Sequence, residues 1–364
     1  MNTERTWRGG ESQVFNLMRG LRHRGHDVEA VTLPGSALMR RCREEGLEVF
    51  ELPMRSDADL PAAFRLARHL KSHPCDILHA QTARAHAIAL MARWLGAPGR
   101  LVVSRRLDFP VKPGPGNRWK YRSRRVDAYI AVAEIIRDVL VKAGVDPAKV
   151  TVINSSIDLA RFSPAGDDRD AARAVREELK LPHDAPVIGN VAALAWHKGQ
   201  KDLIAAMARV LKAQPAAWLV IVGGGEERDA LVGAAREAGV AGRVVFTGAR
   251  DDVPRLLTAF DVFCMPSYYE GLCNSVLEAF AARLPVVATR AGGLPEIVAH
   301  ERTGLLASAH DPDSLALALL RLMTDRPLAD RVADAGYRLA HERFGVDYMV
   351  DRTQDLYGKL APAL

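Results

Sequence analysis

Short apolar segments alternate with amphipathic helical segments along almost the whole chain, and this alternation constrains the fold most strongly. In the first half the apolar segments read DVEAVTL, LEVFELP, CDILHA, RLVVS, DAYIAV and VTVIN. In the second half they read PVIGNV, WLVIVG, RVVFTG, DVFCMP and PVVATR. Intervening segments such as PAAFRLARHLKSH and KDLIAAMARVLKAQ carry apolar residues at helical spacing. Strands that are apolar along their length suit parallel sheets covered on both faces, so an α/β chain of βαβ units is predicted.

The pattern restarts after INSSIDLARFSPAGDDRD, and 364 residues are too many for one ordinary core. We therefore expect two Rossmann-like domains, residues 1–160 and 161–343. The last helix, 344–361, either packs on the second domain or crosses back to the first. Because open parallel sheets bind ligands at the carboxyl ends of their strands, the cleft between two such domains is the expected site.

Charge is distributed unevenly between the two halves. Residues 1–150 contain 26 Lys and Arg against 16 Asp and Glu, whereas residues 151–364 contain 24 against 28. The densest basic stretch also carries two aromatic residues and predicts an anion-binding or membrane-binding patch: Arg118, Trp119, Lys120, Tyr121, Arg122, Arg124 and Arg125. An anionic membrane surface or a phosphorylated acceptor would suit this patch, and a solvated basic face is an equal alternative.

Several other classes of protein are disfavoured. No apolar run approaches the roughly 18 residues that span a bilayer, and the N-terminus lacks the apolar core of a signal peptide, so a cytoplasmic protein is expected. The four cysteines show no C-x-x-C spacing, which argues against a zinc or disulfide framework. A nicotinamide enzyme is disfavoured because G-x-G-x-x-G is absent, and nucleic-acid binding because no known module is recognisable.

Three glycine-containing junctions precede predicted helices. Gly9 and Gly10 lead into ESQVFNLMRGLRHRG, where first-turn amides could meet a phosphate or a sugar hydroxyl. Gly223–Gly225 follows a strong strand and is interpreted mainly as a structural turn. Lys198 precedes Gly199 and a helix starting near Gln200, so its charge and the helix dipole could hold a diphosphate.

The segment SYYEGLCNSVLEAF contains two carboxylates that apolar packing does not explain. Glu270 follows the strand DVFCMP, and Glu278 lies among apolar residues of the next helix. A buried carboxylate is costly unless it has a partner, and a ribose diol would be a suitable one. The amides of 272–275 lie at the start of this helix and could hold a leaving phosphate.

These motifs together resemble the family-4 retaining glycosyltransferases of the GT-B fold (glycosyl transferases group 1). The resemblance rests on HKG, VVFTGARDDV, EGLCNSVLE and AGGLPEIV in the second half, and on RTWRGGESQV, DILHAQTARAHA, VVSRRLDFPV, VDAYIAVAE and VINSSIDLARF in the first. Their order and spacing match over nearly the whole chain. The implied fold is two Rossmann-like domains facing across a cleft.

The resemblance also implies roles for individual residues. Glu270 and Lys198 would be catalytic, contacting the donor sugar hydroxyls and the diphosphate. Glu278 would bind the ribose, and the segment around Arg250 would flank the base. The remaining donor contacts would come from Gly9, Gly10, Gly271, Leu272, Cys273 and Asn274. The acceptor side would comprise His79, Gln81, Arg105, Arg106 and Asp108.

Three features depart from the family pattern. Ala193 occupies a position where an arginine is usual, five residues before Lys198. Gln81 replaces the second histidine of an HAH motif. The first, central strand is missing because only MNTERTWR precedes Gly9, which predicts a gap in the first sheet. A late-called start codon or a trimmed N-terminus is the simplest explanation.

The expected activity is transfer of a sugar from a nucleoside diphosphate sugar to an acceptor with retention of configuration and without a bound metal or other cofactor. The acceptor would be a lipopolysaccharide or lipid-linked glycan, and the enzyme would be peripheral on the inner face of the cytoplasmic membrane. A catalytically reduced sugar-nucleotide-binding or scaffold protein and a GT-B sugar-nucleotide epimerase are the alternatives. The sequence does not specify the donor base, the sugar, the linkage or the oligomeric state.

Overall fold

The computed structural model describes residues 1–106, 109–162 and 168–361, and these residues form two compact units. The first unit comprises Met1–Ser156 together with residues 346–361, and the second comprises Ile157–Gly345. The division falls after Ser156, close to the expected position near residue 160. Among the described residues, no helix combines the length and apolar character that crossing a bilayer requires.

The first unit contains two parallel sheets. Its strands are β1 (Glu29–Thr32), β2 (Glu48–Glu51), β3 (Ile77–Ala80), β4 (Arg100–Arg105), β5 (Ala128–Ala131) and β6 (Val150–Val152). One sheet has the order β1-β2 and the other has the order β3-β4-β5-β6. Its helices are α1 (Gly9–His23), α2 (Ala37–Glu44), α3 (Leu60–Ser72), α4 (Ala83–Trp94), α5 (Pro115–Tyr121), α6 (Glu134–Lys142) and, from the end of the chain, α15 (Val346–Leu360).

The expected gap in the first sheet is found between β1 and β3, and the N-terminal residues lie in it. The amino group of Met1 donates to the carbonyl of His79 (2.7 Å), and the amide of Gln81 donates to the carbonyl of Met1 (3.0 Å). The amide of Asn2 donates to the carbonyl of Val31 on the other side (3.0 Å). These bonds satisfy backbone groups that the two facing sheet edges would otherwise leave unpaired.

The last helix, α15, belongs to the first unit and packs against α1. Leu17 and Leu21 of α1 share a buried apolar cluster with Met349 and Val350 of α15. Gly20 permits this contact because a Cβ at that position would lie 2.4 Å from a methyl of Val350. Of the two expected placements of this helix, the structure shows packing on the first unit.

The second unit contains one six-stranded parallel sheet in the order β12-β11-β10-β7-β8-β9. Its strands are β7 (Val187–Val191), β8 (Trp218–Val222), β9 (Val244–Gly248), β10 (Val262–Met265), β11 (Val286–Thr289) and β12 (Leu305–Ala307). Its helices are α7 (Arg169–Glu178), α8 (Gln200–Ala213), α9 (Arg228–Glu237), α10 (Val253–Leu257), α11 (Asn274–Ala281), α12 (Leu294–Ile297), α13 (Pro312–Thr324) and α14 (Arg326–Arg343). All predicted strands are present, so the α/β prediction is confirmed; β12 was not predicted.

Candidate active site

The carboxyl ends of β7 and β10 form the topological switch point of the second unit. After β7 the chain continues to β8 and β9 on one side, and β10, β11 and β12 follow on the other. The two strands are nevertheless neighbours, with Phe263 paired to Gly189. The connections after such strands diverge and leave a crevice, which is where open parallel sheets bind ligands.

Lys198 follows β7 in the 3₁₀ turn Trp196–Lys198, and Gly199 ends this turn in a left-handed conformation (φ +67°). A Cβ on Gly199 would lie only 2.0 Å from the carbonyl oxygen of Pro266. The amide of Tyr268 also donates to the carbonyl of His197 (2.8 Å). Glycine is therefore required here because it lets the loops after β7 and β10 touch.

This contact brings Lys198 and Glu270 together, 72 residues apart in sequence. The ammonium Nζ of Lys198 lies 2.7 Å from Oε2 of Glu270, and the two side chains are 19% and 11% exposed. The hydroxyl of Ser267 donates to the same carboxylate oxygen (3.1 Å). The amide of Gly293 donates to the carbonyl of Glu270 (2.9 Å), which fixes the loop from a further strand end.

The helix after this loop begins at Asn274, so Glu270 and Gly271 precede it. Leu272 and Cys273 are buried and anchor the start of α11. Cys273 is the N-cap residue and provides no side-chain cap. The amides of Asn274 and 275 make no hydrogen bond to another described residue, as first-turn amides do when no ligand or cap is present. Their exposed dipole end favours an anion.

Glu278 lies in the middle of α11, between the buried residues Leu277 and Ala279. Within the described part of the chain, its carboxyl group makes no hydrogen bond or ion pair. Desolvation by burial raises the pKa of Glu278 to about 7, and the positive charge of Arg161 opposes this shift only in part. A carboxyl group in this position can accept hydrogen bonds from a ligand diol.

The side chain of Arg250 is engaged elsewhere. Its guanidinium donates to both carboxylate oxygens of Asp252 (2.7 Å each) and to Glu178 of α7 (2.7 Å). These hydrogen bonds raise the pKa of Arg250 and lower that of Asp252 to about 2. The Arg250 side chain therefore ties α7 to the loop before α10.

Gly223–Gly225 has a packing role, as interpreted from the sequence. A Cβ on Gly223 would lie 1.9 Å from the carbonyl of Ala192, and one on Gly225 would lie 2.2 Å from the carbonyl of Leu194. The amide of Leu194 also donates to the carbonyl of Gly224 (3.0 Å). The loop after β8 thus packs on the loop after β7 and supports the segment leading to Lys198.

Gly9 and Gly10 form the first turn of α1 in the first unit. Their amides make no hydrogen bond to another described residue, whereas the amide of Ser12 donates to the carbonyl of Arg8 (3.1 Å). Gly10 lies next to the carboxyl-end loop of β4, because a Cβ on it would contact Cδ of Arg106 at 3.9 Å. Gly10, from the predicted donor-side motif RTWRGGESQV, therefore lies beside Arg106, from the predicted acceptor-side motif VVSRRLDFPV.

His79, Gln81 and Arg106 are joined by hydrogen bonds. The guanidinium of Arg106 donates to Oε1 of Gln81 (2.6 Å), and Nε2 of Gln81 donates to Nδ1 of His79 (3.0 Å). The other His79 nitrogen bonds to Ser104 Oγ (2.7 Å), and Tyr357 of α15 contacts Nδ1 (2.5 Å). Burial holds the pKa of His79 well below its usual range. His79 is therefore a neutral residue that orients its neighbours.

Arg105 and two members of the predicted basic patch are structural. Arg105 donates to the hydroxyl of Tyr121 (2.8 Å) and to the carbonyl of Phe109. Tyr121 is buried, and the buried Lys120 pairs with Asp57 at 3.0 Å. The prediction that Lys120 and Tyr121 belong to a surface patch is therefore wrong. Asp108 lies outside the described residues.

The other members of the patch are exposed: Arg118, Trp119, Arg122, Arg124 and Arg125. The guanidinium of Arg125 stacks over the ring of Trp94 at 4.3 Å, and Trp94 is 57% exposed. The sequence analysis did not identify Trp94, because it ends α4 and is distant in sequence from the basic stretch. It also did not identify Ser267 and Tyr357, because neither polar contact is part of a sequence motif.

Comparison with known proteins places this geometry among sugar-transferring enzymes. The profile of "Glycosyl transferases group 1" matches residues 172–339, and that of "Glycosyltransferase Family 4" matches residues 7–161. The lipopolysaccharide core biosynthesis glycosyltransferase LpsE of Rhizobium meliloti is 31% identical over 353 residues, covering 94% of each chain. A GDP-mannose-dependent alpha-(1-6)-phosphatidylinositol monomannoside mannosyltransferase of Mycobacterium tuberculosis is 31% identical over 77% of this chain and 80% of its own.

Among solved structures, Anabaena Alr3699/HepE in complex with UDP-glucose superposes with a TM-score of 0.86. The superposition covers 98% of both chains at 22% sequence identity. The lipopolysaccharide outer core galactosyltransferase WaaB, in its apo form, superposes with a TM-score of 0.75 at 15% identity, again over 98% of both chains. These likenesses establish the shared fold.

Proposed function

We propose a specific reaction for this chain, which belongs to the glycosyltransferases of group 1 and family 4: transfer of a hexosyl group from a nucleoside diphosphate sugar to a cell-envelope glycan or lipid-linked acceptor, with retention of configuration. The pairing of Lys198 with Glu270 at the switch point beside the uncapped start of α11 carries this proposal. By their names, LpsE acts in lipopolysaccharide core biosynthesis and the mannosyltransferase acts on phosphatidylinositol monomannoside. Alr3699/HepE binds UDP-glucose.

The residues of the second unit suit departure of a nucleoside diphosphate. The bond between the anomeric carbon and the diphosphate oxygen breaks, and negative charge develops on that phosphate. Lys198 and the amides of Asn274 and 275 supply fixed positive potential for it. Glu270 accepts hydrogen bonds from the sugar, and Glu278 from the ribose. In the first unit, the first-turn amides of Gly9 and Gly10 could hold a phosphate group.

Retention follows if the acceptor oxygen bonds to the anomeric carbon on the face that the diphosphate leaves. In this reaction the acceptor hydroxyl gives its proton to the leaving phosphate oxygen, so no enzymic base is needed. His79 suits this scheme because its ring nitrogens are already hydrogen-bonded to Gln81, Ser104 and Tyr357. We propose that the reaction needs no bound metal, because Lys198 and helix amides stabilise the charge.

The first experiment screens UDP-, GDP- and ADP-sugars by thermal shift in EDTA. One nucleotide series should stabilise the native chain, and Glu278→Ala should abolish the stabilisation because the ribose loses its acceptor. Glu237→Ala, at an exposed position on α9, is the control and should behave as native. If no nucleotide stabilises the native chain, or if Glu278→Ala keeps the full shift, the assignment of the donor site fails.

Turnover with and without acceptor tests the rest of the proposal. Transfer should require both substrates, and NMR of the product should show the anomeric configuration of the donor. Donor binding without transfer to any acceptor would favour the scaffold alternative, and acceptor-independent isomerisation of the donor would favour the epimerase. An inverted product would refute the retaining mechanism while leaving the transferase assignment intact.

We further propose that an anionic membrane surface is a partner of the first unit, and that the enzyme works at the inner face of the cytoplasmic membrane. Exposed arginines and the two exposed indoles of Trp94 and Trp119 combine charge with side chains that favour a membrane interface. Docking at a membrane would bring the enzyme to a lipid-linked acceptor.

A further inference from the structure

Arg106 carries a charge that the described residues leave unbalanced. Its one hydrogen bond to a described side chain goes to the neutral amide oxygen of Gln81 (2.6 Å), and its buried Nε has no partner there. It forms no ion pair within the described residues; Glu11 acts on it only from beyond ion-pair distance. Burial lowers the pKa of Arg106 to about 10, which leaves it charged at neutral pH. Arg106 is partly buried, with an enclosed Nε, and a cation in such a position without an ion-pair partner is costly unless a ligand balances it.

The carboxylate of Glu11 is itself held away from this cation. Its Oε1 accepts from the side-chain amide of Asn2 (3.0 Å), and its Oε2 accepts from the backbone amide of Arg8 (3.2 Å). Glu11 is buried, and desolvation raises the pKa of its carboxyl above the usual value. Glu11 thus organises the start of α1; it makes no direct ion pair with Arg106, and its charge offsets that of Arg106 only from a distance.

The orientation of Gln81 determines what Arg106 meets. Because Nδ1 of His79 accepts from the Gln81 amide nitrogen, the amide oxygen must point to Arg106. His79 is fixed in turn by Ser104 and Tyr357. A glutamine held in this way aligns the guanidinium without cancelling its charge.

The surroundings of Arg106 contain donors for a small anion. Gly10, in the first turn of α1, lies beside it, since a Cβ on Gly10 would meet Cδ of Arg106 at 3.9 Å. A cavity of about 20 Å³, lined partly by Gln13, Gln81 and Arg106, adjoins the site. A tetrahedral anion has enough oxygens to accept from a guanidinium fork and backbone amides together.

We propose that Arg106 binds a phosphate group of a substrate, and that Gln81 is the positioning residue that aims its guanidinium. The inference rests on the proposed function, since the phosphate would belong either to the donor diphosphate or to a phosphorylated acceptor. It identifies Arg106 as the recognition element for that phosphate on the first unit.

Calorimetric titration of the full-length chain with inorganic phosphate, at constant ionic strength in chloride, tests the site. Arg106→Gln should weaken binding at least tenfold because a charge-assisted fork is lost. Gln81→Glu should weaken it similarly, because an internal carboxylate would occupy the guanidinium. Arg124→Gln removes the same charge from an exposed position and should bind phosphate as the native chain does.

A second arm identifies the source of the phosphate. If saturating UDP displaces inorganic phosphate, the donor diphosphate uses Arg106. If phosphate stays bound and inhibits turnover competitively against acceptor, a phosphorylated acceptor uses it. Absence of phosphate binding by the native chain, or binding within twofold of native in both Arg106→Gln and Gln81→Glu with cooperative unfolding intact, overturns the inference.

Failure of this inference can be separated from failure of the proposed function. Nucleotide-sugar stabilisation through Glu278 is measured independently of phosphate. Loss of phosphate binding in Arg106→Gln, together with no nucleotide binding by the native chain, would support the anion site and refute the donor assignment. Nucleotide binding by the native chain, together with unchanged phosphate binding in Arg106→Gln, would refute the anion site alone.

Discussion

The strand-end loops of the two units differ in how their partly buried charges are paired. In the second unit Lys198 and Glu270 neutralise each other at 2.7 Å, and Ser267 adds a hydrogen bond. In the first unit Arg106 meets only the neutral amide of Gln81. Glu278, close in sequence to the paired Glu270, resembles Arg106 because it too has no ion-pair partner among the described residues.

Some charged residues are therefore neutralised by a partner within the protein, whereas others would be neutralised only by a bound ligand. A paired charge is stable in the free enzyme, and removing one member exposes the other. An unpaired charge lowers the stability of the free enzyme, and a ligand of opposite charge or with suitable hydrogen bonds restores it. Substitutions at the two kinds of position should therefore change stability in opposite directions.

The largest effect on turnover and stability is expected at the Lys198–Glu270 ion pair. Lys198→Met should lower kcat about 10²- to 10³-fold, because one fixed positive charge at the leaving phosphate is lost. It should also lower the free energy of unfolding by about 3 kcal/mol, because Glu270 is left uncompensated. The double variant Lys198→Met/Glu270→Gln should regain most of the stability and none of the turnover. Kinetics and urea unfolding measure both quantities.

Lys201→Met, at an exposed position of α8, is the matched control and should leave turnover and stability nearly unchanged. Turnover of Lys198→Met within threefold of native would show that the pair is structural. Equal destabilisation in the single and double variants would show that the charges do not compensate each other.

The unpaired cation should respond in the opposite direction. Gln81→Glu places a carboxylate 2.6 Å from the Arg106 guanidinium and should raise the free energy of unfolding by about 1–2 kcal/mol in phosphate-free buffer. Gln200→Glu is the matched control, because Gln200 is 2% exposed and, among the described residues, its side chain bonds only to the carbonyl of Ala193. That variant should be destabilised. The same sign of change in both variants would contradict the account of Arg106.

The unpaired carboxylate predicts a pH dependence. Glu278 has a pKa of 4.5 in the unfolded chain and about 7 when folded, so the folded state holds its proton more tightly. Stability therefore falls as pH rises from about 4.5 to about 7. Glu278→Gln should be more stable than the native chain by about 1–2 kcal/mol at pH 8 and by almost nothing at pH 4.

Urea unfolding across this pH range measures the Glu278 effect, with Glu237→Gln as the exposed control that should follow the native profile. A constant difference between Glu278→Gln and the native chain at all pH values would mean that the Glu278 carboxyl does not titrate in this window.

Much of the architecture could be predicted because most of the parallel strands are short runs rich in apolar and β-branched residues. The exception, β12 (Leu305–Ala307), is as short as β6 (Val150–Val152) but lacks the β-branched residues that indicated a strand in VTVIN. The start of α8 at Gln200 also agrees with prediction, because the positive φ of Gly199 ends the preceding turn. The strands and the start of α8 depend on residues that are neighbours in sequence, so the sequence alone was enough to predict them.

The partners of the functional residues were not predictable, because they come from distant segments. Lys198 meets Glu270 only because β10 lies next to β7, an order that chain sequence does not state. Arg250 meets Glu178 across 72 residues, and His79 meets Tyr357 across 278. A basic residue in a motif therefore indicates charge, while the fold determines whether that charge is free, paired or buried.

The smallest effect is expected at the membrane surface. Replacing the four exposed arginines of the 118–125 segment by glutamine should reduce sedimentation with anionic vesicles, since each basic residue contributes about 1 kcal/mol near such a surface. The variant carries Arg118→Gln, Arg122→Gln, Arg124→Gln and Arg125→Gln. Binding to neutral vesicles should not change, and turnover with a soluble acceptor should stay within twofold.

The control for membrane binding removes the same charge from the second unit: Arg169→Gln, Arg228→Gln, Arg236→Gln and Arg302→Gln, all at exposed positions. If net charge alone drives binding, both quadruple variants should lose it equally, and the 118–125 segment would be an ordinary solvated face. If the segment docks, only its own variant should lose binding, and Trp94→Ser should weaken it further because the indole stacked on Arg125 is removed.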